Sequence, residues 1–123
     1  MIIGAGQSLN SSSNLFQKAV LEMRYLNRYF KGKDETIFGL AGVGDLYVSA
    51  AGVRNSKMGS YLVKVFTFKT AKKTFMPKET VEGEELAREI TPFILKKIDK
   101  NKIPLMINLL KTIKENKKLK IKV

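Results

Sequence analysis

Apolar residues recur three or four positions apart along much of the chain, which is the spacing of one helix face. This pattern predicts a helix over residues 13–30, after a serine run at 11–13 that can cap a helix start. It also predicts a helix over 82–97, which begins with acids and ends with lysines as the helix dipole favours. Pro104 stands where a first helical turn tolerates proline, so the apolar residues after it predict a last helix.

The middle of the chain predicts shorter elements. Residues 45–51 read as a short helix closed by a glycine, and 55–64 as another. Residues 63–68 alternate in polarity but stand alone, so we interpret them as part of a connection with one short helix. Pro92 should kink the helix that contains it. The predicted fold class is all-α, a single domain of five or six helices without an internal repeat.

The amino-acid composition excludes several classes of catalytic and metal site. The chain has 123 residues, enough for one compact domain but not two, and neither Cys nor His. Disulfides, thiol nucleophiles, Cys/His zinc sites and imidazole bases are therefore excluded, and we predict no metal site. No apolar run approaches the length that spans a bilayer, and the first residues do not resemble a secretion signal. We therefore expect a cytoplasmic protein with no membrane partner.

The net charge of +12 lies mainly at the C-terminus, because residues 96–123 hold ten lysines against Asp99 and Glu115, a net of +8. One hypothesis is therefore a small basic helical protein that binds nucleic acid or an acidic partner through Lys96 to Lys122. Nucleic-acid binding is disfavoured, because the Lys-rich tail at 117–123 has neither arginine nor aromatic residues. Strong salt dependence of binding would support this alternative.

The N-terminal glycines permit a dinucleotide-binding interpretation. Gly4 and Gly6 follow two isoleucines, as in a strand that leads into Gly-x-Gly-x-x-Gly. Leu9 stands at the third glycine position, and no repeated strand–helix–strand pattern follows. A flexible or irregular loop explains these residues better.

A more informative group combines a glycine-rich run with two polar residues. Residues 39–46 contain three glycines and end in Asp45-Leu46, and Arg54-Asn55 follow. Asp45 and Ser49 are one helical turn apart and share a face. A helix start, a guanidinium and an amide together suit a phosphate. The competing interpretation is structural, with Asp45 and Asn55 as helix caps and Arg54 solvated.

Three ordered motifs resemble the C-terminal helical domain of NAD(P)-dependent glycerol-3-phosphate dehydrogenases. They are Gly-Leu-Ala-Gly-Val-Gly-Asp-Leu at 39–46, Arg-Asn-Ser-Lys-Met-Gly at 54–59 and Val-Glu-Gly at 81–83. The resemblance extends from about Lys18 to Glu82, and Pro104 with its helix resembles the last helix of that domain.

The resemblance implies a 6-phosphogluconate dehydrogenase C-terminal-domain-like fold. It also implies an oxidoreductase of glycerol-3-phosphate metabolism and phospholipid biosynthesis. The family joins a Rossmann domain to this helical domain, and interconverts dihydroxyacetone phosphate and glycerol 3-phosphate by hydride transfer with NAD or NADP. By resemblance, Asp45 is the catalytic aspartate, and Ser49, Arg54 and Asn55 bind substrate. Arg54 and Glu82 would also contact the cofactor.

Two departures from the family limit the expected activity. The family's catalytic lysine and its Rossmann domain have no recognised counterpart in this sequence, and Lys18, Lys31, Lys33 and Lys57 are better interpreted as surface lysines. We therefore expect a substrate-binding domain, covering 1–123, that is inactive alone and binds no cofactor tightly. A separate Rossmann domain would complete it. The surface near 39–46 should be apolar and exposed, which favours a homodimer.

Overall fold

A computed structural model describes residues 1–6, 8–50, 54–64 and 66–120. Within these ranges the chain is all-α, with no strand, as the apolar spacing predicts. The described part has seven α-helices, so the prediction of five or six was too low. They are α1 (Leu9–Tyr29), α2 (Asp34–Phe38), α3 (Asp45–Ala50), α4 (Arg54–Val63), α5 (Phe68–Phe75), α6 (Glu82–Lys97) and α7 (Pro104–Lys114).

The first helix begins earlier than its apolar pattern indicates. Ser8 has extended backbone angles, and its hydroxyl accepts a hydrogen bond from the Ser11 N–H at 3.1 Å. This side-chain cap satisfies one of the free amides of a helix start, so the serine run lies inside α1 rather than ahead of it. The predicted start at residue 13 was wrong for that reason.

The segment between α1 and α3 contains two elements that the sequence did not predict. Lys31, with a φ of 62°, turns the chain after α1, and Arg28 pairs with Asp34 to hold α2 against the end of α1. A π-helical turn at Leu40–Gly44 then leads into α3. A Cβ on Gly42 would collide with the backbone of Ile37, so this turn packs closely against the end of α2.

The N-terminal residues are packed rather than loose. Ile2 and Ala5 are buried, and residues 3–5 form a 3-10 turn against α4 and α1. The carbonyl of Met1 lies so close to Gly59 of α4 that a Cβ there would collide with it. The expectation of a flexible loop was therefore wrong, because apolar residues and a glycine contact fix this segment.

The core is formed chiefly by the pairing of α6 and α7, with α4 and α5 against them. The inward face of α6 differs from the apolar residues that are most obvious in its sequence. Ala87, Thr91 and Ile94 are buried, whereas Leu86 and Phe93 are exposed. Thr91 is satisfied there because its hydroxyl donates to the carbonyl of Ala87, and the helix continues through Pro92. No helix in the described ranges is both long enough and apolar enough to cross a membrane.

The described part of the Lys-rich tail, residues 117–120, is anchored to the fold. Asn116 adopts a left-handed conformation with a φ of 52°, and the Lys117 N–H donates to the carbonyl of Thr112 at the end of α7. The side chain of Asn116 also accepts from the Lys69 N–H in α5. Leu119 is buried in the core, so the tail lysines have defined positions.

Candidate functional site

The N-terminus of α6 is capped by a residue from another helix. Val81, which precedes α6, offers no capping side chain. Instead, the Oδ1 atom of Asn55 in α4 accepts a hydrogen bond from the Gly83 N–H at 3.1 Å. Asn55 is therefore a helix cap, as one interpretation of the sequence held, but it caps α6 rather than its own helix. This bond brings the second and third sequence motifs together.

Gly83 allows this close approach. A Cβ at Gly83 would lie 3.1 Å from both Asn55 Oδ1 and the terminal methyl of Met1, which is tighter than normal packing. Below the contact is an apolar cavity of about 160 Å³, lined by Met1, Asn55 and Gly83 together with side chains of α6 and α7. The N-terminal residue is thus part of the same junction between α4 and α6.

The other predicted site residues lie on the helices that meet or flank this junction. Arg54 is the first residue of α4 and is exposed, and Glu82 is the first residue of α6. Asp45 begins α3 and is exposed, with Ser49 one turn further along that helix. The predicted helix end at residues 51–52 lies outside the described residues. The structure therefore brings Asn55 next to the start of α6. Among the described residues, no hydrogen bond joins Asp45 and Asn55.

The junction brings an amide side chain of α4 to the start of α6. Helix α6 begins at the Asn55–Gly83 contact, and its N-terminus carries a partial positive charge. Asn55 is neutral, and the negative charge that favours this helix start comes from the acidic residues in the first turn of α6, Glu82, Glu84 and Glu85. The Asn55 Nδ2 group has no acceptor among the described residues and can donate to a ligand oxygen. Arg54, one residue away, is exposed at the start of α4.

Burial of the chain's first residue affects the same junction. Burial lowers the pKa of the Met1 amino group from 8.0 to about 6, because the charged form loses its hydration there. At neutral pH this group is therefore mostly uncharged, and it contributes little to attraction of an anion.

A second helix N-terminus is capped in a different way, by a residue that the sequence analysis missed. The Glu22 carboxylate, in α1, accepts hydrogen bonds from the Leu105 and Met106 N–H groups at 2.8 and 2.9 Å. These are the second and third residues of α7, whose own preceding residue, Ile103, offers no cap. Burial raises the pKa of Glu22, and the two backbone donors oppose this rise by favouring the carboxylate.

A signal for Glu22 was present in the sequence. It lies seven residues after the fully buried Leu15 and four before Leu26, on the apolar face of the predicted helix. A charged residue at such a position is rarely buried without a partner. The missing information was the partner, which is 83 residues away in the sequence.

We also considered whether the described residues could hold a metal ion or a dinucleotide. No three acidic side chains within the described ranges gather closely enough to hold a metal ion. The cavity below Asn55, at about 160 Å³, is too small for a dinucleotide.

Together, the fold and the junction define an all-α domain with a candidate site where Asn55 of α4 caps the start of α6. Comparison with known proteins then identifies the family. The family model described as "NAD-dependent glycerol-3-phosphate dehydrogenase C-terminus" matches residues 1–123, and the chain belongs to this family. The resemblance seen in the three motifs is confirmed.

Curated relatives agree with this assignment. A glycerol-3-phosphate dehydrogenase [NAD(P)+] of Cupriavidus pinatubonensis is 43% identical over 61 residues, which are 48% of this chain and 18% of the relative. The protein of the same name from Campylobacter jejuni is 30% identical over 96 residues, or 76% of this chain and 30% of the relative. That from Wolinella succinogenes is 32% identical over 91 residues, or 72% and 30%. The chain thus matches less than a third of each relative's length, and no solved structure matches it significantly.

Proposed function

We propose that this chain supplies the substrate-phosphate half of a glycerol-3-phosphate dehydrogenase site and is inactive without a cofactor domain. The reaction would be the NAD(P)-dependent interconversion of dihydroxyacetone phosphate and sn-glycerol 3-phosphate. The observation that carries the proposal is the hydrogen bond between Asn55 and Gly83, because it joins two family motifs at the N-terminus of α6.

The proposed roles follow from the chemistry of each group. Arg54 and the Asn55 Nδ2 group would bind the phosphate, the former through two parallel hydrogen bonds. Asp45 would accept a hydrogen bond from the reacting hydroxyl and so orient it, with Ser49 as a further contact on the same helix face. Glu82, at the start of α6, would contact the cofactor together with Arg54.

The hydride carrier belongs to the missing half of the site. A nicotinamide cofactor held by the cofactor domain would supply the hydride acceptor for oxidation of the alcohol carbon, and the hydroxyl proton would pass to a base. In this chain, Asp45 would orient that hydroxyl, while the phosphate contacts fix the distance between the reacting carbon and the cofactor domain. We expect no turnover by this chain alone, because it has no recognised equivalent of the family's proton-transfer lysine.

A phosphate titration tests the binding proposal. We expect glycerol 3-phosphate to produce saturable amide NMR shifts around Arg54, Asn55 and Gly83. Arg54→Ala should weaken binding by about tenfold or more. Asn55→Asp keeps an oxygen for the Gly83 N–H but replaces the Nδ2 donor by a negative oxygen, so it should abolish binding without unfolding the protein. The matched controls are Arg88→Ala and Asn14→Asp, which make the same chemical changes at exposed positions elsewhere.

Two results would contradict the proposal. One is the absence of saturable shifts up to about 10 mM ligand. The other is equal binding of glycerol, which has the same hydroxyl groups but no phosphate.

An exposed apolar surface supports the need for a partner domain. Phe38, Leu40 and Tyr47, which flank the glycine-rich turn, are 57, 89 and 71% exposed. Clustered apolar residues of this kind mark protein contact surfaces. We propose that this face meets the cofactor domain and that, in its absence, two copies associate through it as a homodimer. Sedimentation analysis should show a concentration-dependent dimer that Leu40→Glu dissociates, and a monomer at high micromolar concentration would contradict this proposal.

A further inference from the structure

A second cavity lies between α1 and α7, at the N-terminal end of α7. It has a volume of about 600 Å³ and is separate from the Asn55 junction. Its apolar lining comes from Leu21, Pro104 and Leu105. The side chain of Leu21 is 46% exposed, so it is accessible to a ligand. This surface can accept an apolar group of a ligand.

The charged residues around the cavity are unbalanced. Lys18, Lys102 and Lys120 line it, and none of them forms an ion pair with an acidic residue in the described ranges. The single acidic residue in the lining is Glu22, whose two oxygens already accept hydrogen bonds from the Leu105 and Met106 N–H groups. The helix N-terminus is thus satisfied internally, while three lysines remain for an external anion.

The wall that carries one of these lysines is held in place. The Asn108 side chain donates a hydrogen bond to the Lys120 carbonyl at 2.5 Å, and the neighbouring Leu119 is buried in the core. The backbone of Lys120 is therefore held against α7, and both Lys120 and Lys18 line the cavity. A cavity whose walls exist before the ligand arrives loses less conformational entropy on binding.

We propose that this cavity binds a single-chain amphiphile with an anionic head group. The lysines would surround a carboxylate or phosphate, and the chain would cover Leu21, Pro104 and Leu105. We choose a chain of about eight carbons as the probe, because each methylene buried on the apolar part of the lining adds affinity. The charged head group beside the lysines then provides specificity. The proposal is independent of the phosphate site, from which it differs in position, residues and ligand class.

Calorimetric titration with octanoate and octan-1-ol provides the test. We expect saturable binding of octanoate, with octan-1-ol and acetate each bound at least about tenfold more weakly. The double variant Lys102→Gln/Lys120→Gln should weaken octanoate binding by about tenfold. The matched double variant Lys69→Gln/Lys73→Gln removes the same charge from exposed positions on α5 and should leave binding unchanged.

Further arms identify the source of the head group and separate this proposal from the first. Octyl phosphate should compete with octanoate. If anionic lipid vesicles bind at all, octanoate should displace them. Arg54→Ala should leave octanoate binding unchanged. The proposal is overturned if octan-1-ol or acetate binds as well as octanoate. It is also overturned if octanoate shows no saturation up to about 10 mM, or if vesicles bind and octanoate does not displace them.

Discussion

Two helix N-termini in this molecule are capped from a distance, one by a neutral group and one by a charged group. Asn55 caps α6 through a single N–H, and the Glu22 carboxylate caps α7 through two. In both helices the preceding residue offers no cap of its own. A carboxylate compensates the partial positive charge of a helix start, whereas an amide does not. The α7 end therefore receives its negative charge from a distant helix, whereas the α6 end has a neutral cap and carries its acidic residues in its own first turn.

The largest expected change in stability follows from removing the charged cap, Glu22. Glu22→Leu would leave the Leu105 and Met106 N–H groups without their partner, at a cost of about 3 to 4 kcal/mol in the free energy of unfolding. Glu22→Gln keeps one oxygen acceptor and should cost less. Urea unfolding measures both, with Glu89→Leu at an exposed position of α6 as control. Equal stability of Glu22→Leu and the unaltered protein would show that α7 needs no cap from α1.

The second effect concerns pH at the α6 end. The Met1 amino group has a pKa of about 6 in the folded protein against 8.0 when unperturbed. Between these values the unfolded chain retains a proton that the folded chain has released, so stability rises with pH. This contribution to stability is fully present above pH 8 and is lost as the pH falls from 8 through 6. The total change is about 2 to 3 kcal/mol.

An Nα-acetylated chain is the control for this effect, because its N-terminus does not titrate. Its stability should lack the rise between pH 6 and 8 that the free amine produces. An identical rise in both forms would assign it to another group. The carboxyl group at the α7 end should contribute with the opposite sign. Since the pKa of Glu22 is raised, its contribution to stability falls as the pH increases above 4.5.

The third effect tests whether the N-terminal segment supports the α6 end. Gly59→Ala would usually stabilise a helix, but here the new methyl would collide with the Met1 carbonyl. We expect a loss of about 2 kcal/mol, with hydrogen exchange increased at residues 1–6. Ser60→Ala, in the next position of α4, should be close to neutral. A more stable Gly59→Ala protein would mean that Met1 does not pack there.

The outer parts of the fold were predictable where a local signal coincided with a helix boundary. The structure places α6 at Glu82–Lys97 and starts α7 at Pro104, as the charge pattern and the proline indicated. The five-residue helix α2 was missed, because so short an element has too few apolar positions to show a period. The true start of α1 depended on the Ser8 cap, whose position among several serines the pattern could not fix.

The candidate site was predictable as a set of motifs but not as a contact. Arg54, Asn55 and Glu82 could be named because the family motifs contain them. That Asn55 caps α6 could not be inferred, since its partner Gly83 lies 28 residues away. Glu22 was missed for the same reason. In both cases the residue's role is a hydrogen bond between distant segments, which apolar periodicity does not encode.

The smallest effect sharpens the comparison by changing charge at the neutral cap. Asn55→Leu removes the acceptor for the Gly83 N–H and should cost about 1 kcal/mol in the free energy of unfolding. Asn55→Asp keeps the acceptor and adds the charge that α7 receives from Glu22, so its stability should equal or slightly exceed that of the unaltered protein. The two substitutions are distinguished by urea unfolding at neutral pH. If Asn55→Asp is as unstable as Asn55→Leu, the helix starts at this junction do not favour negative charge, and the argument for an anion there loses its electrostatic basis.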